Sequence, residues 1–336
     1  MVTEILGADS ASVRRAAELL SQGQVVAIPT ETVYGLAANA LDEAAVKRIF
    51  EAKGRPSDNP LIVHIADKAQ LYDLASEVPE IALKCAERFM PGPLTMILPK
   101  ADCVPDVTSG GLDTVGIRMP SHPVAREIIK ACGFALAAPS ANLSGSPSPT
   151  SFRHVKDDMD GRVAAIVDGG DCSVGVESTV ICFENGRIRI LRPGFVCAEE
   201  LSEIAETVID KGVLEQLSAD AVVRSPGMKY KHYAPKADVT VVEGDVKAFR
   251  DYVGKKMDTN TMLLVFSKDD CEGLDARFVE LGKTAEEQAQ NLFTALRSLD
   301  EMGAQKVYAR CPEKSGVGLA VYNRLIRAAG FKAVKA

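Results

Sequence analysis

Four cationic side chains stand beside apolar, strand-like runs, where they could bind one anionic ligand: Lys53, Arg55, Arg118 and Arg192. Lys53 and Arg55 precede LIVHI in the loop KGRPSDNP, which two prolines stiffen. Arg118 lies within VGIRM, and an arginine buried there requires a partner. Arg192 closes a later apolar run in LRPG. Guanidinium and ammonium groups suit phosphates and carboxylates, and they stabilise the charge that develops in phosphoryl transfer.

Hydroxyl and amide side chains are concentrated in APSANLSGSPSPTS, at the end of the apolar run ALAAP. They include Ser140, Asn142, Ser144, Ser146 and Ser148. In open α/β sheets, the loops at one end of the strands converge on a ligand crevice. The chain has no G-x-x-x-x-G-K-[ST], no G-x-G-x-x-G after a strand and no G-x-S-x-G. The sequence therefore predicts a phosphate-bearing ligand that is held without a glycine-rich loop.

Each of these groups also has a purely structural interpretation. Arg118 could form an internal ion pair, and Lys53 and Arg55 could simply be solvated in their loop. The serine-rich segment could be a plain flexible loop. The residue types alone do not decide between these interpretations.

The apolar runs that must position these residues predict an α/β fold for residues 1–210. Predicted strands alternate with helices: QVVAIP, LIVHI, TMIL, VGIRM, ALAAP and AAIVD. The polar stretch PTETVYGLA is expected to be a loop, and AEELSEIAETVI a final helix. A late hairpin, STVICFENGRIRILRPG, should turn at Asn185-Gly186. We therefore expect an open, twisted, mixed sheet with helices.

After a linker at residues 211–237 the pattern becomes simpler. DVTVVEG, TMLLVFS and KVYARC are predicted strands, and helices are predicted over DVKAFRDYVGKK, residues 284–301 and LAVYNRLIRAA. Thr284 and Glu287 can form a capping box at the start of the middle helix. Residues 238–336 are therefore predicted to form a small Rossmann-like domain with three or four parallel strands.

The distribution of charge disfavours a general nucleic-acid-binding protein. The formal net charge is −7, from 39 basic and 46 acidic residues. Residues 238–336 contain 15 basic and 15 acidic residues, so the whole acidic excess lies before them. A nucleic-acid binder needs cations that face the phosphates.

The sequence indicates neither secretion, nor a membrane span, nor a protein-held metal. There is no uninterrupted apolar run of about 18 residues, and MVTEILGADSAS lacks the basic and apolar regions of a signal peptide. We therefore expect a cytoplasmic protein. The eight cysteines form no C-x-x-C pair, and the four histidines show no H-E-x-x-H spacing. Reduced structural thiols and no zinc site are expected.

The predicted linker contains SPGMKYKHYAP, residues 225–235, which differs from an ordinary connector. It carries Lys229, Tyr230, Lys231, His232 and Tyr233. An inert connector would pack its tyrosines on one domain and leave its lysines in water. A lid over a nucleotide would use the tyrosine rings as flat cover and the lysines as phosphate partners. We favour the lid, with Tyr233 as the expected direct contact.

Taken together, these motifs resemble the YrdC-like family in its long, two-domain form. PTETVYGL, K-x-R-P with NPL-x-x-H, PGPLT, GIRMP, PSAN, ESTV and LRPG occur in the order seen in that family. The resemblance covers residues 8–235 with specific motifs, SPGMKYKHYAP among the most specific. Beyond residue 238 it rests on weaker features such as GVGLAVYNRL. No motif position departs from the family pattern.

The resemblance implies a nucleotidyltransferase. Members of the family condense L-threonine, bicarbonate and ATP to threonylcarbamoyl-AMP and release pyrophosphate. The product supplies N6-threonylcarbamoyladenosine formation next to the anticodon of tRNA, through a downstream transferase that is expected to bind transiently. Mg²⁺ would arrive on ATP and need few protein ligands. Attack of a carbamate oxygen on the α-phosphate requires positioning and cations more than a side-chain nucleophile.

The resemblance also implies roles for individual side chains. Catalysis would rest on Lys53 and Arg55, which neutralise the triphosphate. L-Threonine would be bound by Thr32, His64, Arg118, Ala138 and Ser178, and ATP by Arg55, Asn59, Thr114, Ser140, Asn142, Ser148, Arg192 and Tyr233. Arg118 suits a fork-like grip on the threonine carboxylate, whereas His64 could instead be a satisfied strand histidine.

Two other classes of protein stay open. One is an RNA-binding module of the same fold, which the acidic charge disfavours and a flat salt dependence of RNA affinity would exclude. The other is the carbamoyl-transferring domain of a larger maturation enzyme. Such enzymes would carry zinc-finger cysteine pairs and an acylphosphatase-like segment, and the sequence contains neither. The expected partners are therefore ATP, L-threonine, bicarbonate and the transferase, with no membrane and no strong direct nucleic-acid binding.

Overall fold

The computed structural model describes residues 2–54, 59–213 and 233–336, which form two compact units. The described part of the first unit comprises residues 2–54, 59–144, 148–173 and 177–213, and that of the second comprises residues 145–147, 174–176 and 233–336. Arg55 and the predicted lid as far as His232 lie outside the described residues. The domain limits expected from the sequence, at residues 210 and 238, stay a prediction.

In the described residues, an eleven-stranded mixed sheet forms the centre of the first unit. Its strands are β1 (Glu4–Leu6), β2 (Val26–Ile28), β3 (Gly35–Asn39), β4 (Ile62–His64), β5 (Leu94–Pro99), β6 (Thr114–Arg118), β7 (Leu136–Ala137), β8 (Ala165–Val167), β9 (Thr179–Glu184), β10 (Arg187–Arg192) and β11 (Thr207–Ile209). Their order in the sheet is β1-β8-β2-β3-β7-β4-β6-β5-β9-β10-β11. β4 and β6 are parallel, whereas β5 and β6 are antiparallel. The predicted mixed α/β sheet is confirmed.

Helices connect these strands. They are α1 (Ser10–Ser21), α2 (Glu43–Lys53), α3 (Leu71–Leu74), α4 (Glu80–Phe89), α5 (Asp106–Ser109), α6 (Pro123–Cys132), α7 (Phe152–Met159) and α8 (Ala198–Ser202), with 3₁₀ helices at Lys68–Gln70 and Lys211–Val213. α2 begins where the Asp42 carboxylate accepts hydrogen bonds from two main-chain N–H groups of the first turn, at 2.9 and 3.2 Å. It ends at Gly54, whose left-handed φ of 61° stops the helix directly after Lys53.

Alternation along the strands assigns two apolar clusters to the two faces of the sheet. In β2, Ala27 joins one cluster, whereas Val26 and Ile28 join the other. The first cluster contains side chains of α2 and α4, and the second contains side chains of α1 and α6. Strands that are buried on both faces by helices need apolar residues at successive positions, which is why these runs are almost continuously apolar.

Two predictions for the first unit were wrong. Part of PTETVYGLA, expected to be a loop, is the strand β3, since its last residues pair with β2 and β7. The expected helix over AEELSEIAETVI ends at Ser202, and residues 207–209 form β11, parallel to β10. Thr207, Val208 and Ile209 are β-branched and lie beside an open sheet edge, so strand pairing prevails over helix.

The second unit contains a parallel sheet. Its strands are β12 (Asp238–Glu243), β13 (Thr261–Val265), β14 (Arg277–Glu280), β15 (Lys306–Arg310) and β16 (Ala333–Lys335), in the order β14-β13-β15-β12-β16. Its helices are α9 (Val246–Gly254), α10 (Ala285–Glu301) and α11 (Gly316–Ala328), with a 3₁₀ helix at Lys268–Cys271. The predicted capping box is confirmed, with hydrogen bonds of 3.0 and 3.2 Å between Thr284 and Glu287. The described residues of this unit form five parallel strands instead of the expected three or four, because β14 and β16 are short edge strands without a marked apolar pattern.

The described residues contain neither a candidate membrane span nor a candidate metal site. Among them, no helix is both long and apolar enough to cross a bilayer. Nor do three or more histidine, cysteine, aspartate or glutamate side chains of these residues gather in a way that could hold a metal ion.

Candidate functional site

Three of the five residues expected to bind an amino acid, His64, Arg118 and Ser178, lie in one row across the first sheet, together with Thr95, which was not predicted. His64 in β4 is in register with Arg118 in β6, and Arg118 is in register with Thr95 in β5. The Thr95 hydroxyl is 2.8 Å from the hydroxyl of Ser178, which directly precedes β9. Residues in register point to the same face, and their chain neighbours Val63, Met96 and Ile117 belong to the apolar cluster on the other face. The row therefore faces away from that cluster.

Arg118 is paired with a residue that the sequence analysis missed, Glu31. Its Nη2 lies 2.7 Å from the Glu31 Oε1, and the two side chains are only 5% and 6% exposed. The distance shows an ion pair, but the geometry does not make a hydrogen bond: both Glu31 oxygens and the Arg118 Nε and Nη2 lack a hydrogen-bond partner among the described residues. The ion-pair interpretation of Arg118 is thus supported, while its capacity to bind a ligand carboxylate is unused. A buried arginine needs an anion, and that requirement was the available signal for Glu31.

His64 is neutral in this environment. Burial, together with the positive charge of Arg118, lowers its pKa to about 3, although main-chain hydrogen bonds partly oppose the shift. Its Nδ1 lies 3.2 Å from the main-chain oxygen of Ile62. The interpretation of His64 as a satisfied strand histidine is therefore supported, and its contact with threonine stays a prediction.

Arg192 holds Ser178 in place. Its Nε and Nη2 donate to the main-chain oxygen of Ser178 at 3.1 and 3.0 Å, and its Nη2 lies 3.1 Å from the Ser178 hydroxyl. The main chains of the LRPG and ESTV segments are also in close contact, since a Cβ atom added at Gly194 would lie 2.3 Å from the main-chain nitrogen of Thr179. LRPG and ESTV therefore pack tightly against each other. The contact of Arg192 with ATP stays a prediction.

Lys53 is directed at the PSAN loop. From the end of α2, its buried ammonium group donates to the main-chain oxygens of Ser140 and Asn142, the latter at 2.8 Å. The side-chain Oδ1 of Asn142 lies 3.4 Å away and also accepts a 2.5 Å hydrogen bond from the Ser140 hydroxyl. Lys53 therefore shapes the loop that carries two predicted ATP ligands. Its direct role on the triphosphate stays a prediction, and Arg55 lies outside the described residues.

Main-chain hydrogen bonds join this loop to PTETVYGL. The Leu36 N–H donates to Pro139 at 2.7 Å, and the Ala141 N–H donates to Tyr34 at 2.8 Å. The Ala138 N–H donates to the main-chain oxygen of Ile62 in β4 at 3.0 Å. Ala138 is thereby fixed beside the strand that carries His64.

A second carboxylate that the sequence analysis missed is Glu177. The Ser148 hydroxyl donates to the Glu177 Oε1 at 2.6 Å, and both side chains are buried. The Glu177 carboxylate, in the ESTV motif, therefore orients the Ser148 hydroxyl, which was predicted to contact ATP. No pattern in the sequence linked these two residues, which lie in different loops.

The other predicted site residues are more widely spread. Thr32 is buried, with its hydroxyl 3.0 Å from that of Thr30. Asn59 is buried, and its Oδ1 has no hydrogen-bond partner among the described residues. Thr114 shares a face of β6 with Arg118 but starts the strand that Arg118 ends, about 13 Å away. Tyr233 belongs to the second unit, where its ring packs 5.1 Å from that of Phe293. The ATP contacts of Asn59, Thr114 and Tyr233 stay predictions.

The structure thus forms two groups in the first unit, which consist of predicted residues except for Thr95. One combines a buried guanidinium, a neutral imidazole and two hydroxyls, in Arg118, His64, Thr95 and Ser178. This set can bind a carboxylate and a small polar group. The other places Lys53, Ser140 and Asn142 in a tight polar loop, which could present donors to a phosphate.

Two family models match the chain. Residues 18–194 match a family described as "Telomere recombination", and residues 196–330 match one described as "Threonylcarbamoyl-AMP synthase, C-terminal domain". Together the two models cover almost the whole sequence.

Similar proteins span nearly the full length of the chain. The threonylcarbamoyl-AMP synthase of Pyrococcus abyssi is 48% identical, over 96% of this chain and 95% of its own. That of Bacillus subtilis is 45% identical, over 99% of this chain and 97% of its own. Among solved structures, that of P. abyssi Sua5 complexed with L-threonine is 46% identical, with a TM-score of 0.92 over 100% of both chains.

Proposed function

Since this chain belongs to the threonylcarbamoyl-AMP synthase family, we propose that it condenses L-threonine, bicarbonate and ATP to threonylcarbamoyl-AMP and pyrophosphate. The structural observation that carries the proposal is the buried Arg118, whose Nε and Nη2 have no hydrogen-bond partner in the described part of the chain. A buried cation with free donors in a row of hydroxyls is a site for a small carboxylate. The similar P. abyssi protein was solved with L-threonine bound, which supports the choice of amino acid.

The amino acid would lie along the row of His64, Arg118 and Ser178. Arg118 would bind the carboxylate, and the hydroxyls of Thr95 and Ser178 are near enough to bind polar atoms of the ligand. Because His64 is neutral, it adds no second positive charge and can offer a hydrogen bond or an apolar ring edge. Thr32 and Ala138 would complete the subsite from the two loops that main-chain hydrogen bonds join.

The reaction needs two bond-forming steps. The amino nitrogen attacks the carbon of bicarbonate, the C–OH bond breaks, and the carbamate forms with loss of water. A carbamate oxygen then attacks the α-phosphorus of ATP, and the bond to the β-phosphate oxygen breaks to release pyrophosphate. Negative charge grows on phosphoryl oxygens in the second step, so cations and N–H donors fixed beside them lower the barrier.

The nucleotide would be bound by the PSAN loop and its neighbours. Lys53 holds Ser140 and Asn142, and Glu177 holds Ser148, so three predicted ATP ligands are pre-positioned by other side chains. Pre-positioned donors avoid the cost of reorganisation during the reaction. ATP would enter as its magnesium complex, with the metal held chiefly by phosphate oxygens.

The product is a mixed anhydride that must be passed on. We place the protein in the cytoplasm, upstream of a transferase that attaches the threonylcarbamoyl group to an adenosine beside the anticodon of tRNA. Contact with that transferase would be transient, since the intermediate is small and diffusible.

The test measures pyrophosphate release by the full-length protein with ATP and Mg²⁺. Release should require L-threonine and bicarbonate together, and threonylcarbamoyl-AMP should form in equal amount. L-Serine should be a poor substitute, since loss of the γ-methyl contact costs about 1–3 kcal/mol. Release without bicarbonate, or equal turnover of serine and threonine, would contradict the proposal.

A further inference from the structure

Unused hydrogen-bonding capacity is concentrated around Glu31. Among the residues that the structure describes, five buried side-chain atoms without a hydrogen-bond partner belong to Glu31, Arg118 and His122. They are both Glu31 oxygens, the Arg118 Nε and Nη2, and the His122 Nδ1. Burial lowers the pKa of His122, and the negative charge of Glu31 opposes that shift, so the two side chains interact electrostatically. Such a concentration marks a place suited to a polar ligand, because unpartnered buried polar groups are otherwise rare.

The charges at this place are those that a free amino acid would complement. Glu31 and Arg118 attract one another at 2.7 Å, but this attraction makes no hydrogen bond for either group. An α-amino acid carries a carboxylate and an ammonium group on one carbon, a few ångströms apart. A ligand of this kind can satisfy Arg118 with its carboxylate and Glu31 with its ammonium N–H groups at the same time.

Hydrogen bonds also fix the backbone around Glu31. It lies in the loop after β2, between Thr30 and Thr32, and the Thr30 hydroxyl donates to the main-chain oxygen of Val33 at 2.5 Å. The same hydroxyl accepts a hydrogen bond from the Thr32 N–H at 3.2 Å. These bonds fix the backbone on both sides of Glu31, and its side chain is buried beside Arg118, with only 6% of it exposed.

We propose that Glu31 binds the α-ammonium group of the amino acid and accepts the proton that this nitrogen must lose before it attacks bicarbonate. This inference rests on the proposed function. An ammonium nitrogen has no lone pair, so one proton must first pass to the Glu31 carboxylate. The amine then forms the N–C bond to bicarbonate, water leaves with the broken C–OH bond, and the proton on Glu31 returns to solvent. One proton is released for each carbamate formed, and no oxidant or reductant is needed.

The experiment compares two ligands by calorimetry on the full-length protein. L-Threonine has the amino group, whereas 3-hydroxybutanoate of matching configuration keeps the carboxylate, hydroxyl and methyl groups and lacks it. The wild-type protein should bind threonine at least about 10-fold more tightly. Glu31→Gln should lose about 10-fold or more in threonine affinity and little in affinity for 3-hydroxybutanoate, so that the preference disappears.

The controls separate this role from simpler ones. Equal loss for both ligands would mean that Glu31 only positions Arg118, and no loss would mean that it touches neither ligand; either result overturns the proposal. Glu31→Asp keeps the charge on a shorter side chain and should keep part of the preference for threonine over 3-hydroxybutanoate. If Glu31→Gln fails to fold, Glu31→Asp provides the test in its place. Kinetically, Glu31→Gln should lower kcat as well as raise KM for threonine, since the proton acceptor is lost.

Failure of this inference differs from failure of the proposed function. If the wild-type protein releases pyrophosphate with threonine and bicarbonate while Glu31→Gln keeps its ligand preference, the activity stands and the role of Glu31 is wrong. If the wild-type protein neither binds threonine nor releases pyrophosphate, the proposed function itself is wrong.

Discussion

Arg192 donates two hydrogen bonds to the main-chain oxygen of Ser178, one from Nε at 3.1 Å and one from Nη2 at 3.0 Å. The contact joins the end of β10 to the residue that precedes β9, and the Ser178 hydroxyl in turn lies 2.8 Å from that of Thr95. An arginine expected to bind a phosphate is thus already engaged in fixing a residue expected to bind threonine. The hydrogen bonds from Arg192 therefore help to position Ser178.

This relationship predicts how Arg192→Lys will behave. Lysine keeps the positive charge but cannot reproduce the planar fork. If Arg192 acts by holding Ser178, Arg192→Lys and Arg192→Ala should both raise KM for threonine about 10-fold, which corresponds to about 1.4 kcal/mol. Steady-state kinetics with each substrate varied in turn provides the measurement. An effect on KM for ATP alone, rescued by lysine, would instead assign Arg192 to the nucleotide.

Arg118→Ala should abolish threonine binding and also destabilise the fold. Removal of the guanidinium leaves Glu31 buried without a counter-charge, which costs about 3–5 kcal/mol. The matched control is the double variant Arg118→Ala with Glu31→Gln, which should recover part of the unfolding free energy but no threonine binding. Urea unfolding and calorimetry measure the two properties separately. Unchanged threonine affinity in Arg118→Ala would mean that the ion pair is the whole role of Arg118.

His64 should make the stability of the protein depend on pH. Its pKa is near 6.5 when unfolded and about 3 in the fold, where burial disfavours the charged ring. The stabilisation by the neutral ring is therefore complete above pH 6.5 and is lost as the pH falls towards about 3. Across this window His64 contributes a slope of about 1.4 kcal/mol per pH unit.

The comparison that isolates this effect is His64→Gln. The free energy of unfolding of both proteins is measured in urea between pH 7 and pH 4.5, in steps of about half a unit. It should fall more steeply with decreasing pH in the wild type, with a difference in slope that corresponds to about one bound proton. Carboxylates titrate in both proteins and cancel in the difference. Parallel curves would show that the ring of His64 is accessible to water.

Lys53 should affect stability and turnover together. In Lys53→Ala, the main-chain oxygens of Ser140 and Asn142 lose a buried donor, which costs about 1–3 kcal/mol. Turnover should fall more than ATP affinity, because the loop and the charge matter most as negative charge develops. Arg55→Ala should show the same kinetic pattern. Single-turnover rates and nucleotide binding by calorimetry provide the test, and a pure loss of ATP affinity at an unchanged maximal rate would contradict it.

Local features of the fold were predictable because short segments determine them. The hairpin turn falls at Asn185 and Gly186, whose φ values of 52° and 73° suit asparagine and glycine at the centre of a tight turn. The capping box of Thr284 and Glu287 likewise depends on four consecutive residues. β3 and β11 were missed because their pairing depends on a neighbouring strand and not on their own composition.

The sequence by itself determined the α/β class, the family and which residue types the site contains, because alternating apolar patterns and ordered motifs are written along the chain. Only the tertiary structure decided which of those residues touch. Arg118 meets Glu31, Lys53 meets Asn142 and Ser148 meets Glu177. Each pair joins elements that are distant in sequence, and the arrangement of the strands in the sheet brings them together. A buried charge requires a partner wherever it lies, but the chain alone does not say which of its 46 acidic residues will supply it.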